Sequence, residues 1–128
     1  MRIGDLAAAT GASVRSLRYY EEQGLLVADR TAGGQRTYGV SSVERVQLVQ
    51  QLFAAGLASR TIVQLLPCVD AGVATPESFA LLVAERDRIS AQLAELEAAR
   101  DRLDEVIAIT EHPTAEHCPA LREQPAAA

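Results

Sequence analysis

Arginine and tyrosine side chains are concentrated in one short stretch near the N-terminus. Arg15 and Arg18 lie one helical turn apart, and Tyr19 follows directly. A guanidinium group can donate paired hydrogen bonds to a phosphate or to the edge of guanine. Ser13 can cap a helix, and Gly24 can take the left-handed conformation that ends one. The stretch therefore predicts a short helix whose outward face suits a DNA groove.

The segments on either side of this helix indicate what positions it. Ile3 and Leu6 have helical spacing before Gly11, which predicts a first helix and a tight turn. Downstream, Gly33-Gly34 between two arginines is typical of a β-hairpin. Two helices alone are compatible with an ordinary two-helix corner. The basic hairpin favours a winged helix-turn-helix instead.

Two further helices are predicted after the hairpin. Ser41 and Glu44 have the spacing of a capping box, and an apolar stripe follows them. Ser59 is a candidate cap for the next helix, which Pro67 is expected to end. Both helices have the composition of packing elements.

A longer helix is predicted over residues 76–111, with Thr75 as its cap. Its apolar residues follow a heptad pattern that Arg86 and Arg100 interrupt. A single helix of this kind would leave its leucines in water, so we expect it to pair with a second copy. Folding back on the head is the alternative. The expected dimerisation residues are Phe79, Leu82, Ile89, Leu93, Leu96, Leu103 and Ile107.

The charge of the chain is polarised. Residues 1–66 contain seven arginines and five acids, a net charge of +2, whereas residues 67–128 contain five arginines and twelve acids, a net charge of −7. The overall charge of −5 therefore leaves the N-terminal half able to meet phosphate. No apolar run suits a membrane span or a signal peptide, so we expect a cytoplasmic protein without a membrane partner. In that compartment Cys68 and Cys118 are expected to be free thiols.

Four short motifs in order resemble the signature of the MerR family of transcription regulators. They are Arg18-Tyr19-Tyr20-Glu21, Gly24-Leu25-Leu26, Arg30, and Gly34-Gln35-Arg36-Thr37-Tyr38. The resemblance implies a mainly α fold, with a winged helix-turn-helix head followed by a long dimerisation helix that forms an antiparallel coiled coil. It also implies that a homodimer binds double-stranded promoter DNA between the elements that RNA polymerase recognises, and distorts the DNA there in response to an unknown effector. An effector-independent repressor is the alternative.

This resemblance, together with the basic face, gives the expected DNA-binding residues, which are Arg15, Ser16, Arg18, Tyr19, Tyr20, Arg30, Arg36 and Tyr38. The expected domains are the DNA-binding head at 1–66, a linker at 67–75, the dimerisation helix at 76–111, and an effector loop or disordered tail at 112–128. We expect no enzymatic activity, because both histidines lie in the tail and the acids are spread along helix surfaces. A coiled-coil adaptor would not explain the arginines of the head.

The residues after the long helix include a possible metal site. His112, His117 and Cys118 could bind a transition metal ion, since imidazole and thiolate are ligands for such ions. Metal-responsive members of the family have a cysteine pair here, which Cys118-Pro119 resembles, but the first cysteine is missing. A polar tail without a ligand, or a thiol redox switch at Cys118, are the alternatives. An organic effector near Cys68 and Phe79 is the preferred expectation.

Overall fold

The computed structural model describes residues 1–122 and is mainly helical. Two compact units are present, Met1–Leu82 and the part that begins at Val83. Elements in chain order are α1 (Ile3–Thr10), α2 (Val14–Glu22), β1 (Asp29–Arg30), β2 (Arg36–Thr37), α3 (Ser41–Ala54), α4 (Ser59–Ala71), α5 (Pro76–Glu111) and α6 (Pro119–Arg122). No helix within this part of the chain combines the length and apolarity needed to cross a bilayer.

The first two helices form the predicted helix-turn-helix. Gly11 ends α1 with φ of 75°, in the left-handed region. The Ser13 hydroxyl oxygen then accepts a hydrogen bond from the Ser16 backbone N–H at 3.0 Å, which caps α2. At the other end, Gly24 has φ of 76°. The caps and the glycine were all readable from the sequence because they act locally.

The hairpin predicted around the two glycines is also present, and we call Asp29–Thr37 the wing. Its strands are antiparallel, with Asp29 paired to Thr37 and Arg30 to Arg36. Gly34 closes the turn with φ of 81°. After β2 the chain enters the core, where the Tyr38 backbone N–H donates to the Met1 carbonyl at 2.7 Å.

The apolar residues of the first unit form two buried clusters. One contains Leu25, Val49, Leu57, Ile62, Leu65 and Leu66. The other contains Leu6, Leu17, Leu26, Tyr38 and Val46. Leu17 of α2 is fully buried, and Leu25 and Leu26, just beyond the end of this helix, are buried as well. The recognition helix is therefore fixed from its inner face, which leaves its arginine face outside.

Three local predictions for α3 and α4 are wrong. Val40 already has helical dihedral angles, so Ser41 lies inside α3 and forms no capping box. Ala58 occupies the cap position of α4, and Ser59 is its first residue. Pro67 lies within α4 rather than at its end, and Gly72 terminates the helix. The predicted linker at 67–75 is thus shortened to residues 72–75.

The continuation of α4 through Pro67 has a physical reason. Proline removes one helical hydrogen bond and costs about 3 kcal/mol in a helix interior. Pro67 is exposed, so its ring does not have to fit into the core. Leu65 and Leu66 are buried in the core immediately before it, and that burial favours the helical backbone.

Helix α5 agrees with its predicted bounds at both ends. Thr75 caps it, since the Ser78 backbone N–H donates to the Thr75 hydroxyl oxygen at 3.1 Å and the Thr75 N–H donates to Ser78 Oγ at 3.0 Å. The helix has 36 residues, a length of about 54 Å. None of its residues is buried within a single chain.

Candidate nucleic-acid interface

Four arginines surround one groove on the head. The groove has a volume of about 600 Å³ and lies between the first two helices and the wing. Arg2, Arg18, Arg30 and Arg36 line it, together with the acids Glu21 and Glu22. We call it the arginine groove. Its excess of fixed positive charge makes this face of the head suited to a polyanion.

The helix α2 presents the predicted outward residues beside this groove. Arg15, Arg18 and Tyr19 are exposed, and the Tyr19 side chain retains 44% of its accessible surface. Ser16 is half-buried, and its hydroxyl accepts a hydrogen bond from the Ser13 hydroxyl at 2.9 Å. Exposure of two guanidinium groups on consecutive turns gives the helix the donors that base edges and phosphates require.

Two side-chain contacts hold the cations of the wing in place. Arg30 Nη1 donates to the Gly34 carbonyl at 2.9 Å, which ties this side chain to the turn. Arg36 Nε lies 3.2 Å from Glu21 Oε2, and this ion pair joins the wing to α2. The Arg36 side chain is nevertheless 59% exposed. Both guanidinium groups are thereby oriented without being removed from solvent.

The Tyr38 side chain, predicted to contact DNA, lies mostly inside the head. Tyr38 is only 2% exposed and lies in a buried cluster, where its hydroxyl donates to Glu21 Oε1. Burial, followed by the hydrogen bond and charge of Glu21, raises the pKa of Tyr38 to about 12. Tyr38 is therefore a neutral donor inside the head over the physiological pH range.

Tyr20 also has its main contacts inside the head. Its ring stacks on Phe53 with a centroid separation of 5.6 Å, and it packs against both buried clusters. Burial raises the pKa of its hydroxyl. Of the two adjacent tyrosines, Tyr19 is thus the more exposed, whereas both were predicted to be DNA-binding residues.

Sequence reasoning missed two contributions to this face. Arg2 lines the arginine groove and donates to Gln35 Oε1 at 3.2 Å, although it lies outside every motif. The start of α4 also reaches α2, because Tyr19 Oη lies 3.4 Å from Ser59 Oγ and Ser59 Oγ lies 3.3 Å from Gln23 Oε1. These contacts join residues distant in sequence, so no local pattern could have shown them.

The candidate metal residues are not gathered in the structure. Within residues 1–122, no three His, Cys, Asp or Glu side chains form a group that could hold a metal ion. The His112 backbone N–H still belongs to the end of α5, and donates to the Ala108 carbonyl at 3.0 Å. His117 and Cys118 follow in a turn after Thr114. The part of the predicted tail at 123–128 lies outside the described residues.

Both cysteines of the chain are free thiols. Cys68 is half-buried near the start of α5, with Sγ 3.8 Å from Thr75 Oγ1. The hydrogen bonds of Thr75 and then Ser78 lower the pKa of this thiol. Cys68 therefore belongs to α4, not to the linker predicted at 67–75, and it lies close to the start of α5 within the first unit.

The helix-turn-helix, the wing and the arginine groove define a winged helix-turn-helix protein. The family model described as "MerR HTH family regulatory protein" matches residues 1–67. The chain belongs to the MerR family of transcription regulators, whose members are DNA-binding regulators rather than enzymes. The predicted fold class is confirmed in its helix content, hairpin and long C-terminal helix.

Individual relatives match the chain over different shares of their own length. The nodulation protein NolA of Bradyrhizobium elkanii is 40% identical over 103 residues, covering 80% of this chain and 44% of NolA. The chain therefore spans less than half the length of that relative. PbrR691 of Ralstonia metallidurans CH34, solved with lead(II), superposes with a TM-score of 0.77 at 27% identity, covering 95% of this chain and 97% of PbrR691.

A relative has also been solved with its nucleic acid. HiNmlR, a MerR family regulator that lacks the sensor domain, was crystallised bound to promoter DNA. It is 26% identical, with a TM-score of 0.57, and the match covers 86% of this chain and 89% of HiNmlR. At least one member of the family therefore binds promoter DNA, and its similarity to this protein extends along most of the chain.

Proposed function

We propose that this chain is a homodimeric regulator that binds promoter DNA sequence-specifically through α2 and the wing. The observation that carries the proposal is the arginine groove beside the exposed face of α2. We assign base contacts to Arg15, and phosphate or groove-edge contacts to Arg18 and Arg36. Ser16, Tyr19 and Arg30 remain candidate contacts, while Tyr20 and Tyr38 support the face from inside.

The unpaired apolar face of α5 supports the homodimer. Phe79 is 66% exposed and Leu96 is 67% exposed in a single chain. Leu82, Leu93, Leu103 and Ile107 are exposed as well. Apolar residues at heptad spacing on one helix are stabilised when a second helix covers them. We therefore retain residues 76–111 as the dimerisation helix, in an antiparallel pair, and residues 1–66 as the DNA-binding head.

A dimer of this design constrains the DNA that it can bind. Two heads at a separation set by the coiled coil require two half-sites at a matching separation. We propose that the dimer binds between the promoter elements that RNA polymerase recognises and distorts the DNA there. Distortion of that kind costs several kcal/mol, which contacts from both wings and both recognition helices offset. A repressor that needs no effector is the alternative.

For the effector, we prefer a small organic ligand near Cys68 and Phe79 to a metal ion. The supporting observation is that His112, His117 and Cys118 do not form a ligand group in the described residues. The structure of PbrR691 with lead(II) supports the alternative, a metal ion as the effector. A cytoplasmic location accords with a function on promoter DNA.

Binding to the chain's own upstream DNA tests the proposed function. Arg18→Ala and Arg36→Ala should each weaken binding to all duplexes and lower the salt dependence by about one phosphate contact. Arg15→Ala should instead relax sequence preference, since a good base contact contributes about 1–3 kcal/mol of discrimination. Arg102→Ala on α5 is the charge-matched control. Unchanged affinity in both Arg18→Ala and Arg36→Ala would contradict the proposed docking face.

A further inference from the structure

One carboxylate within the arginine groove has two different partners. Glu21 lies in the last turn of α2, and its side chain is only 16% exposed. Its Oε1 accepts the hydrogen bond of the buried Tyr38 hydroxyl, and its Oε2 forms an ion pair with Arg36, 3.2 Å from Nε. Both oxygens of a single acid are thus used to connect the core, the recognition helix and the wing.

The position of the acid is unexpected on electrostatic grounds. A negative charge beside a DNA-binding face repels phosphate, so its loss should favour binding. Glu22 is the adjacent residue and lines the same groove, but its side chain is exposed. The two neighbouring acids therefore contribute the same formal charge at similar places and differ in their contacts.

The contact to Arg36 leaves most of its donors available. A guanidinium group has five N–H donors, and the ion pair with Glu21 brings only Nε of Arg36 close to the carboxylate. The two terminal NH₂ groups remain, on a side chain that is 59% exposed. Since Tyr38 is a neutral donor with a pKa of about 12, it holds the opposite oxygen of Glu21 throughout the physiological range.

We propose that Glu21 is a positioning residue for DNA binding. The Tyr38 hydroxyl holds the Glu21 carboxylate in place, and the carboxylate in turn orients the Arg36 guanidinium toward phosphate. This inference rests on the proposed function of the head. An arginine fixed in one orientation loses less side-chain entropy when it binds phosphate than a free one. The gain from fixing Arg36 exceeds the repulsion between Glu21 and the DNA.

The test compares Glu21→Gln with Glu22→Gln. Each variant removes one negative charge from the arginine groove while nearly preserving side-chain volume. Affinity is measured as a function of salt, on a short duplex that the wild-type protein has selected from a random pool. We expect Glu21→Gln to weaken binding by about tenfold and to lower the salt slope by about one. Glu22→Gln should leave binding unchanged or tighten it.

A second arm separates positioning from loss of folding. Glu21→Gln is combined with Arg36→Ala, and we expect it to have no further effect on affinity in that background, because Arg36 is the residue through which it acts. Equal tightening by Glu21→Gln and Glu22→Gln would overturn the proposal. Full additivity with Arg36→Ala would overturn it as well. Failure of the wild-type protein to select any duplex would instead refute the proposed function.

Discussion

Substitution of Leu96 by glutamate is expected to abolish the dimer. Leu96 lies in the middle of the predicted seam on α5 and is 67% exposed in a single chain. Complete burial of a leucine side chain contributes about 1.5–3 kcal/mol. Covering the exposed two thirds therefore contributes about 1–2 kcal/mol, and twice that in a symmetric pair.

The glutamate adds a second and larger effect. An unpaired charge in a buried interface costs several kcal/mol, and the symmetric dimer would contain two of them. Together, the lost burial and the added charge rival the 5–15 kcal/mol that stabilises a typical small protein. Neither buried cluster of the head includes Leu96, so the main expected result is dissociation.

Sedimentation equilibrium, with circular dichroism to monitor helix content, measures this effect. Ala98→Glu is the matched control, because it adds the same charge two residues away on the opposite face of α5. The control should remain a dimer at concentrations where Leu96→Glu is monomeric. If both variants have the wild-type dissociation constant, the seam is assigned to the wrong face of the helix.

Two further predictions concern pH and metal. Because the pKa of Tyr38 is raised from 10.0 to about 12, its contribution to stability is complete below pH 10 and is lost as the pH rises toward 12. The loss corresponds to about 2–3 kcal/mol in the free energy of unfolding, and Tyr38→Phe should reduce it in denaturant titrations at alkaline pH. An identical loss in the variant would refute the assignment. For metal, competition against a chromophoric chelator should show no tight stoichiometric binding of zinc, copper or cobalt, whereas tight binding abolished by Cys118→Ser would establish the His112, His117 and Cys118 site.

The elements of the head could be predicted because their signals are local. Gly11, Gly24 and Gly34 all have positive φ where a turn or helix end requires it. Ser13 caps α2 with a bond to a residue three positions later. Such interactions depend on a few consecutive residues, so a short stretch of sequence is enough to predict them.

The errors arose where distant residues override a local preference. Pro67 would end an isolated helix, but the core that contains Leu65 and Leu66 keeps α4 intact beyond it. Ser59 is a good cap, yet Ala58 takes that position and the Ser59 hydroxyl lies near Tyr19 and Gln23. Neither partner is visible from the sequence around Ser59.

In the candidate site, too, local features were predicted and long-range contacts were not. Arg15 and Arg18 were placed correctly on the outer face because helical spacing determines which residues share a face. The interior position of Tyr38 was not predicted, because the chain leaves the β-ladder after Thr37 and turns into the core. A family motif specifies that a tyrosine occurs there, but not the direction in which its side chain points.

Footprinting of the wild-type protein on a duplex that it has selected tests the central claim most directly. The account predicts two protected half-sites related by a two-fold axis on one face of the DNA, because two heads joined by α5 must bind at a fixed separation. Both half-sites should lose protection together when either one is scrambled. Equal affinity for the selected and the fully scrambled duplex would contradict a sequence-specific dimeric regulator.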